Sequence, residues 1–367
     1  MEHLPPSIAK RFALFLELIY KFIHRLVARI TGHYYRPMTC EVFYAIQRPA
    51  GVSVKGRVMR VRKWREPQQD DPAWRNFCQM IKRWLTPERP HSRVSLECDG
   101  VETDTLANKE AYFEATIPIS ADTISPVGAV TFGLPEATES SPTMREVTRS
   151  SPEASHIIIS DIDDTILVTH AAHTLRMLAT TLLGNALTRE VFPGVTNLYA
   201  ALQRGTVSEG SIQNPIHYVT SSPWNLHGLI RLIFQRYHLP DGAWFMTDWG
   251  LDESKWFKLG HDTHKLAAIR QSLQWYPDLP AVLIGDTGQH DSEIYAEVVK
   301  EFPDRVSHVL LRDVTGPERR KEIEESWEGV GDRETTPMTV FETSEEAARA
   351  LAAGGVIPAE EARKVGV

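Results

Sequence analysis

The sequence predicts an α/β fold over residues 156–367, a parallel sheet with helices on both faces, preceded by a small β-rich, sandwich-like domain at 36–133. Three observations carry that prediction. From residue 156 onward, short apolar runs alternate with helical stretches, the pattern of a parallel sheet covered on both sides. Before residue 133 the runs are rich in Val, Tyr and Phe, partly alternating and punctuated by Gly, Pro and Asp, as in an antiparallel sandwich. Between the two, residues 134–155 are rich in Ser, Pro, Thr and Glu, the composition of a linker.

The first element is the segment 1–35, which contains "RFALFLELIYKFIHRLVARI". Glu17, Lys21, Arg25 and Arg29 recur every four residues and so share one face of a helix, while Phe12, Phe15, Leu16, Ile19, Phe22, Ile23, Leu26 and Ile30 fill the rest. Charges spaced through the apolar stretch argue against a signal peptide. Two readings of residues 10–30 stand: an amphipathic helix packed on the protein, or one lying in an anionic membrane surface. No apolar run reaches the roughly 18 residues expected of a transmembrane helix.

The β-rich domain follows in the runs "EVFYAI", "VKGRVMRVRKW", "SRVSLECD", "AYFEATIPI" and "AVTFGL", interrupted by a helix or loop insertion in "DPAWRNFCQMIKRWLTPERP". Hydrophobic content of 42% and charged content of 24% over 367 residues are ordinary for a globular chain of two or three domains. A net charge of −8 argues against a general nucleic-acid binder. Cys40, Cys78 and Cys98 show neither CxxC nor zinc spacing and read as reduced, buried thiols of a cytoplasmic protein.

In the second domain the apolar runs are "HIIIS", "IHYVT", "WFMT", "AVLIG" and "HVLLR", and helices are expected at 223–237, 264–275, 292–301 and 344–352. Ligands of such sheets bind at the carboxyl ends of the strands, so the residue after each run is where chemistry belongs. The first run ends in Asp161-Ile162-Asp163-Asp164-Thr165, where side chains two apart share a face, so Asp161 and Asp163 point to one site with Thr165 beyond. The second ends in Thr220-Ser221-Ser222-Pro223, with Ser222 suited to cap a helix, Pro223 to begin it, and the open N–H groups beside Thr220 suited to phosphate. The fourth ends in Gly285-Asp286-Thr287-Gly288-Gln289-His290-Asp291, adding two carboxylates. Lys265 falls in the first turn of a helix that Asp262 or Thr263 would cap, where the helix dipole disfavours a cation.

Like charges packed this closely repel, and burying them unpaired is costly. A hard divalent ion such as Mg²⁺, held by a few carboxylates with phosphate and water completing its shell, makes the cluster tolerable. His261 and His264, spaced i, i+3, have the form of a metal pair but no third ligand of their kind.

"DIDDT", "HYVT", Lys265 and "GDTGQHD", in that order, resemble the four motifs of the haloacid dehalogenase superfamily over roughly residues 156–315. "SDIDDTI", "YVTSSPWNL", "HKLAAI", "YPDLPAVLIGDTGQHDSEIYAE" and "VLLRDV" further resemble the actin-patch-associated phosphatidate phosphatase family. "VKGRVMRV" and "KEAYFEATIP" resemble the small β domain of its bacterial members, with Ala111 where that family usually has glycine.

The resemblance implies a Rossmann-like, haloacid dehalogenase-like catalytic domain and a role for each matched residue. Asp161 is the expected nucleophile, forming an aspartyl-phosphate, and Asp163 the acid and then the base. Thr220, with Thr165, Ser221 and Ser222 near the phosphoryl oxygens, holds phosphate, the second-motif hydroxyl being Thr220 or Ser222, with Thr220 preferred because it directly follows the strand. Lys265 neutralises charge, and Mg²⁺ falls to Asp161, the Asp163 carbonyl, Asp286 and Asp291, the last directly or through water. An acid at position 163 favours phosphatase or phosphomutase chemistry over dehalogenase or ion-pump chemistry.

No cap domain fits between Thr165 and "FPGVTNLYAALQ", so an open site is expected, suited to a phosphorylated lipid. "HTLRMLATTLLGN" there reads either as an apolar flap or as a core helix. The expected activity is Mg²⁺-dependent hydrolysis of phosphatidate or a related lipid phosphate at the inner face of a membrane. The rival readings are a phosphatase of non-lipid phosphomonoesters and a non-catalytic membrane scaffold.

Overall fold

The computed structural model describes residues 37–48, 50–61, 67–68, 70–84, 88–120, 128–169, 187–206, 214–247, 261–331 and 336–366. The expected N-terminal helix at 1–35 and the segment 173–185 lie outside them. Two compact units are distinguishable, one holding strands β1–β7 and the other strands β8–β13.

The first unit is built from β1 (Met38–Arg48), β2 (Gly51–Arg60), β3 (Arg93–Cys98), β4 (Val101–Leu106), β5 (Tyr112–Ile117), β6 (Ala129–Gly133) and β7 (Thr143–Glu146). They form two antiparallel sheets, ordered β1-β2-β5 and β4-β3-β6-β7. Alternation decides the facing. In β3, Val94, Leu96 and Cys98 are buried while Arg93 is exposed, and Val130 and Phe132 of β6 repeat the pattern. Both sheets send side chains into one apolar core, where Val52, Val54, Val58 and Phe113 meet Val94, Leu96, Val130 and Phe132. Phe113 and Phe132 meet at 5.9 Å between ring centroids.

Ala111, just before β5, has φ +64°, the left-handed conformation that favours glycine. The substitution noted at this position therefore keeps the turn at the expense of strain. Helix α1 (Ala73–Trp84) accounts for the insertion read in "DPAWRNFCQMIKRWLTPERP", and Cys78 on it is exposed, so of the three thiols expected to be buried only Cys40 and Cys98 are.

The expected linker at 134–155 needs correction. Thr143–Glu146 is strand β7, paired with Ala129–Phe132 of β6, and the Thr143 hydroxyl donates to the Cys40 carbonyl at 3.1 Å. Its sequence, Thr-Met-Arg-Glu, buries an arginine and exposes a methionine, so hydrophobic alternation gives no sign of a strand.

The second unit contains β8 (Ile157–Ser160), α2 (Val195–Arg204), β9 (Ile216–Pro223), α3 (His227–Arg236), β10 (Ala243–Thr247), α4 (His261–Trp275), β11 (Ala281–Asp286), α5 (Asp291–Glu301), β12 (Val306–Arg312), α6 (Pro317–Ser326), β13 (Met338–Phe341), α7 (Ser344–Ala353) and α8 (Ala359–Lys364). The six strands make one parallel sheet, flanked by helices, in the order β10-β9-β8-β11-β12-β13. Counted from β8 this is the order 3-2-1-4-5-6 of a doubly wound, Rossmann-like sheet. β8 and β11 are buried along their whole lengths, as strands covered on both faces must be. The order reverses between β8 and β11, and at such a switch point the loops leave in opposite directions and open a crevice at the strand ends.

Two local expectations are also corrected. β9 runs through Ser222 to Pro223, and a 3₁₀ turn at Trp224–Leu226 precedes α3, so Ser222 does not cap that helix. Helix α4 begins at His261, which puts both Asp262 and Thr263 inside the helix and not at its cap, and Lys265 beyond its first turn.

Candidate active site at the carboxyl ends of β8, β9 and β11

The loop after β8 is a compact turn. Asp161 N–H donates to the Ile284 carbonyl at 2.8 Å, extending the sheet by one residue. The chain then folds back, with Ile166 N–H and Leu167 N–H both donating to the Ile162 carbonyl and Asp164 N–H to the Leu167 carbonyl. Asp164 sits at φ +58°, which an aspartate tolerates better than most residues, and its Oδ1 accepts from the N–H and hydroxyl of Thr169 at 2.7 and 3.0 Å. The third acid of "DIDDT" is therefore a turn former, while the first two face the site.

Asp161, Asp286 and Asp291 are all buried, and each offers one carboxylate oxygen within 4.8 Å of the other two. Among the described residues this is the group that could hold a metal, and His264 is not in it. The side chain of His261 lies outside the described residues. Lys265 Nζ reaches into the cluster, 2.8 Å from Asp161 Oδ1 and 2.6 Å from Asp291 Oδ1. Asp286 is held by the N–H groups of Gly288 and Gln289, which donate to its Oδ1 at 2.6 and 2.9 Å. Asp291 Oδ2 accepts from the Asp286 N–H at 3.2 Å. The close approach needs glycine at 285, since a Cβ there would stand 2.5 Å from Asp291 Oδ2.

Asp163 occupies a second subsite. Its Oδ2 accepts from the Thr220 hydroxyl at 2.7 Å and the Ser222 hydroxyl at 2.8 Å, and Thr220 Oγ1 in turn accepts from Ser222 N–H. The two hydroxyls left open as alternatives by the sequence converge on one carboxylate oxygen. Thr165 donates to Asp161 Oδ2 at 3.3 Å. Ser221 enters through its carbonyl, which accepts from the Thr247 hydroxyl at 2.6 Å. The Asp163 carbonyl accepts from Gln289 Nε2 at 3.3 Å, and the same amide nitrogen lies 3.2 Å from Asp286 Oδ2, so Gln289 ties the two subsites together. Glu293 is exposed and pairs with Arg319 at 2.5 Å on the protein surface.

Three buried carboxylates face one ammonium, and the charges do not balance. Burial pushes Asp161 well above the ordinary carboxylate range, with Asp291, Asp286 and Asp163 adding to the shift against the pull of Lys265. Burial, then Asp291, pushes Asp286 up to about 8, against Lys265 and the two N–H donors. Burial alone would lower Lys265, but Asp161, Asp291 and Asp286 outweigh it and hold the ammonium charged. The donor set is all oxygen, buried and short of positive charge, which fits a hard divalent cation.

The sequence reading missed Arg312, the last residue of β12. It is buried between the rings of Phe192 and Phe341, at 4.3 and 4.8 Å, and its Nε donates to the Thr165 carbonyl at 2.9 Å. Its other nitrogens donate to the Glu342 carbonyl and the Ser344 hydroxyl, and Ser344 donates on to the Pro193 carbonyl. Arg312 thus fastens the turn after β8 to β13 and α7. The signal was available, because Arg312 closes the apolar run "HVLLR" as the acids close theirs. Arg189 was missed too. It is buried where 189–192 runs beside 166–169, with the Asp163 charge opposing the effect of burial on its guanidinium. Nothing in the pattern around it marks it.

A doubly wound sheet with buried acids, a lysine and two hydroxyls gathered at its switch point defines an α/β protein with an acidic strand-end site. The comparisons narrow that class. Residues 156–313 match the family model described as phosphatidate phosphatase APP1, catalytic domain, so the family resemblance read from the motifs holds for that segment. An uncharacterized protein of Schizosaccharomyces pombe is 27% identical over 159 residues, covering 43% of this chain and 25% of that one. The phosphatidate phosphatase APP1 of Saccharomyces cerevisiae is 25% identical over 155 residues, covering 42% of this chain and 25% of that one. The matches thus take in about a quarter of the length of these curated relatives. Among solved structures, a carbohydrate acetylesterase from Xanthomonas citri aligns over 87% of this chain and 75% of its own with a TM-score of 0.32 and 11% identity, a likeness too low to bear on fold or function.

Proposed function

We propose that this protein is a phosphatase that hydrolyses phosphatidate or a related lipid phosphomonoester to the free alcohol and inorganic phosphate. The observation that carries the reading is the convergence of Asp161, Asp286 and Asp291 on one small volume with Lys265 among them and Asp163 beside it. The match of residues 156–313 to a phosphatidate phosphatase catalytic domain supports the lipid half.

Asp161, Asp286 and Asp291, with the Asp163 carbonyl, would hold Mg²⁺. That ion would supply the positive charge that the acids lack and offset charge on the phosphoryl oxygens. A carboxylate oxygen of Asp161 attacks phosphorus, and the bond from phosphorus to the alcohol oxygen breaks. The departing alkoxide takes its proton from Asp163, which leaves as carboxylate and then accepts the proton of the water that attacks the aspartyl-phosphate. That attack breaks the bond between phosphorus and Asp161, releases inorganic phosphate and restores both acids. Lys265 offsets charge on the nucleophile, and Thr220, Thr165, Ser221 and Ser222 surround the phosphoryl oxygens. Most of the rate then comes from positioning and fixed charge.

The test is phosphate release from phosphatidate, lysophosphatidate, a phosphopeptide and a nucleotide, each with Mg²⁺, for wild type and Asp161→Asn. Release from the lipids that vanishes in the variant supports the reading. Preference for the peptide or nucleotide moves the substrate class, and equal behaviour of the two proteins removes the enzyme.

A further inference from the structure

Helix α1, Ala73–Trp84, turns its apolar face outward. Asn76 and Met80 are buried, whereas Trp74, Phe77 and Ile81 are 64%, 40% and 37% exposed. These three stand at i, i+3 and i+7, on one face of the helix, with Cys78 and Lys82 exposed beside them. An amphipathic helix in water normally does the reverse. Six large apolar side chains are exposed among the described residues, and half of them lie on this one helix, so the exposure is a patch and not scatter.

Charge identifies the occupant. The twelve residues of α1 include Arg75, Lys82 and Arg83 and no acid, in a chain whose net charge is −8. Lys82 and Arg83 stand in the last turn of the helix, and Arg75, which pairs with Asp71 at 3.0 Å, lies 5.4 Å from the ring centre of Trp74. Large apolar side chains that include two aromatics, bordered by cations, suit the boundary between acyl chains and anionic headgroups. No helix among the described residues is long and apolar enough to cross a membrane, and α1, about 18 Å long at 1.5 Å per residue, can only lie along one.

We propose that α1 docks on an anionic lipid bilayer, inserting Trp74, Phe77 and Ile81 with Lys82 and Arg83 at headgroup level. Helix α1 is a different segment from residues 10–30, for which membrane contact was one of the two readings of the sequence. The proposal deepens the lipid reading of the site, but binding to vesicles needs no turnover, so the two can fail independently.

The test uses the full chain with Trp74→Gln, Phe77→Gln and Ile81→Gln combined, sedimented with phosphatidylcholine vesicles with and without phosphatidylglycerol. Wild type should bind the anionic vesicles, and the triple variant should bind at least about tenfold more weakly. Lys82→Glu alone should weaken binding about fivefold. Phosphate release from a soluble phosphomonoester should be the same in all three proteins, since none of these residues touches the site. Cys78 gives a second readout that needs no substitution, because it is exposed while Cys40 and Cys98 are buried. An environment-sensitive fluorophore on Cys78 should shift to the blue with anionic vesicles and stay unchanged with neutral ones. Unaltered vesicle binding by the triple variant overturns the proposal. So does a fluorophore already shielded without vesicles, which would mean that the chain covers the face itself. A wild-type dimer that the triple variant dissolves without loss of vesicle binding also overturns it, by making the face a protein interface.

Discussion

The Thr220 hydroxyl donates to Asp163 Oδ2 at 2.7 Å, so a buried residue of one strand holds the acid that follows its neighbour at the centre of the sheet. Thr220 also accepts from the Ser222 N–H, whereas Ser222 reaches Asp163 only through its hydroxyl. Thr220→Ala should therefore lower turnover more than Ser222→Ala. Asp163→Asn should lower it by about 10²–10⁴ on an alkyl phosphate. On p-nitrophenyl phosphate, whose leaving group needs no proton, that first-step loss should shrink. The ratio kcat/KM, which reports the first step alone, checks this on both substrates, and equal losses in it would deny Asp163 its role as the acid.

The metal-free site should make the protein less stable as pH rises. Burial, followed by Asp291, lifts Asp286 from 3.8 to about 8, and Asp161 shifts the same way. Between those limits the native state binds more protons than the unfolded chain, so unfolding free energy falls with increasing pH. Scanning calorimetry in chelator should show Tm declining from about pH 4 to about pH 8, once the other groups are allowed for with Asp286→Asn. Added Mg²⁺ should raise Tm most at the alkaline end, because there it no longer competes with protons. A Tm rise from Mg²⁺ that is the same at every pH would contradict this.

Arg312 should matter for both stability and rate. Its guanidinium lies between two rings and reaches three neutral acceptors, one of them the Thr165 carbonyl. Arg312→Gln should cost about 2–4 kcal/mol in urea unfolding, from stranded acceptors and lost ring contacts. Because Thr165 donates to Asp161, kcat should fall with little change in KM. Arg312→Lys should recover part of the stability but less of the rate, since an ammonium cannot reproduce the planar fork.

Much of this arrangement was legible in the sequence, and the reasons differ by element. Five strands of the parallel sheet stand out because fully buried strands are continuous apolar runs. The sixth, β13, has four residues, two of them half-buried, and gives too short a signal. Helix α6 escaped because it is polar all round and buries only Ile323. The acids were found because chemistry at the strand ends sets polar residues directly after apolar runs, and Lys265 because a cation near a helix start opposes the helix dipole. Arg312 obeys the same rule but lies beyond the four motifs. Asp164 looks like a ligand by type, and only its positive φ shows that it makes the turn.

Ala111→Gly should stabilise the β-rich unit. Ala111 is fully buried at φ +64°, where a Cβ is strained by roughly 1–2 kcal/mol. Glycine relieves that strain but adds entropy to the unfolded chain, leaving a gain of about 0.5–1 kcal/mol. Urea unfolding checks it, and a loss of stability would mean that the Ala111 methyl contributes more through packing than it costs in strain.

The most direct measurement is the site of phosphoryl transfer. The enzyme is mixed with phosphatidate in detergent micelles and Mg²⁺, quenched in acid within a turnover, and mapped by peptide mass spectrometry. The account predicts a phosphoryl group on Asp161, absent in Asp161→Asn and longer-lived in Asp163→Asn. A phosphoryl group on any other residue, or full turnover by Asp161→Asn, would contradict it.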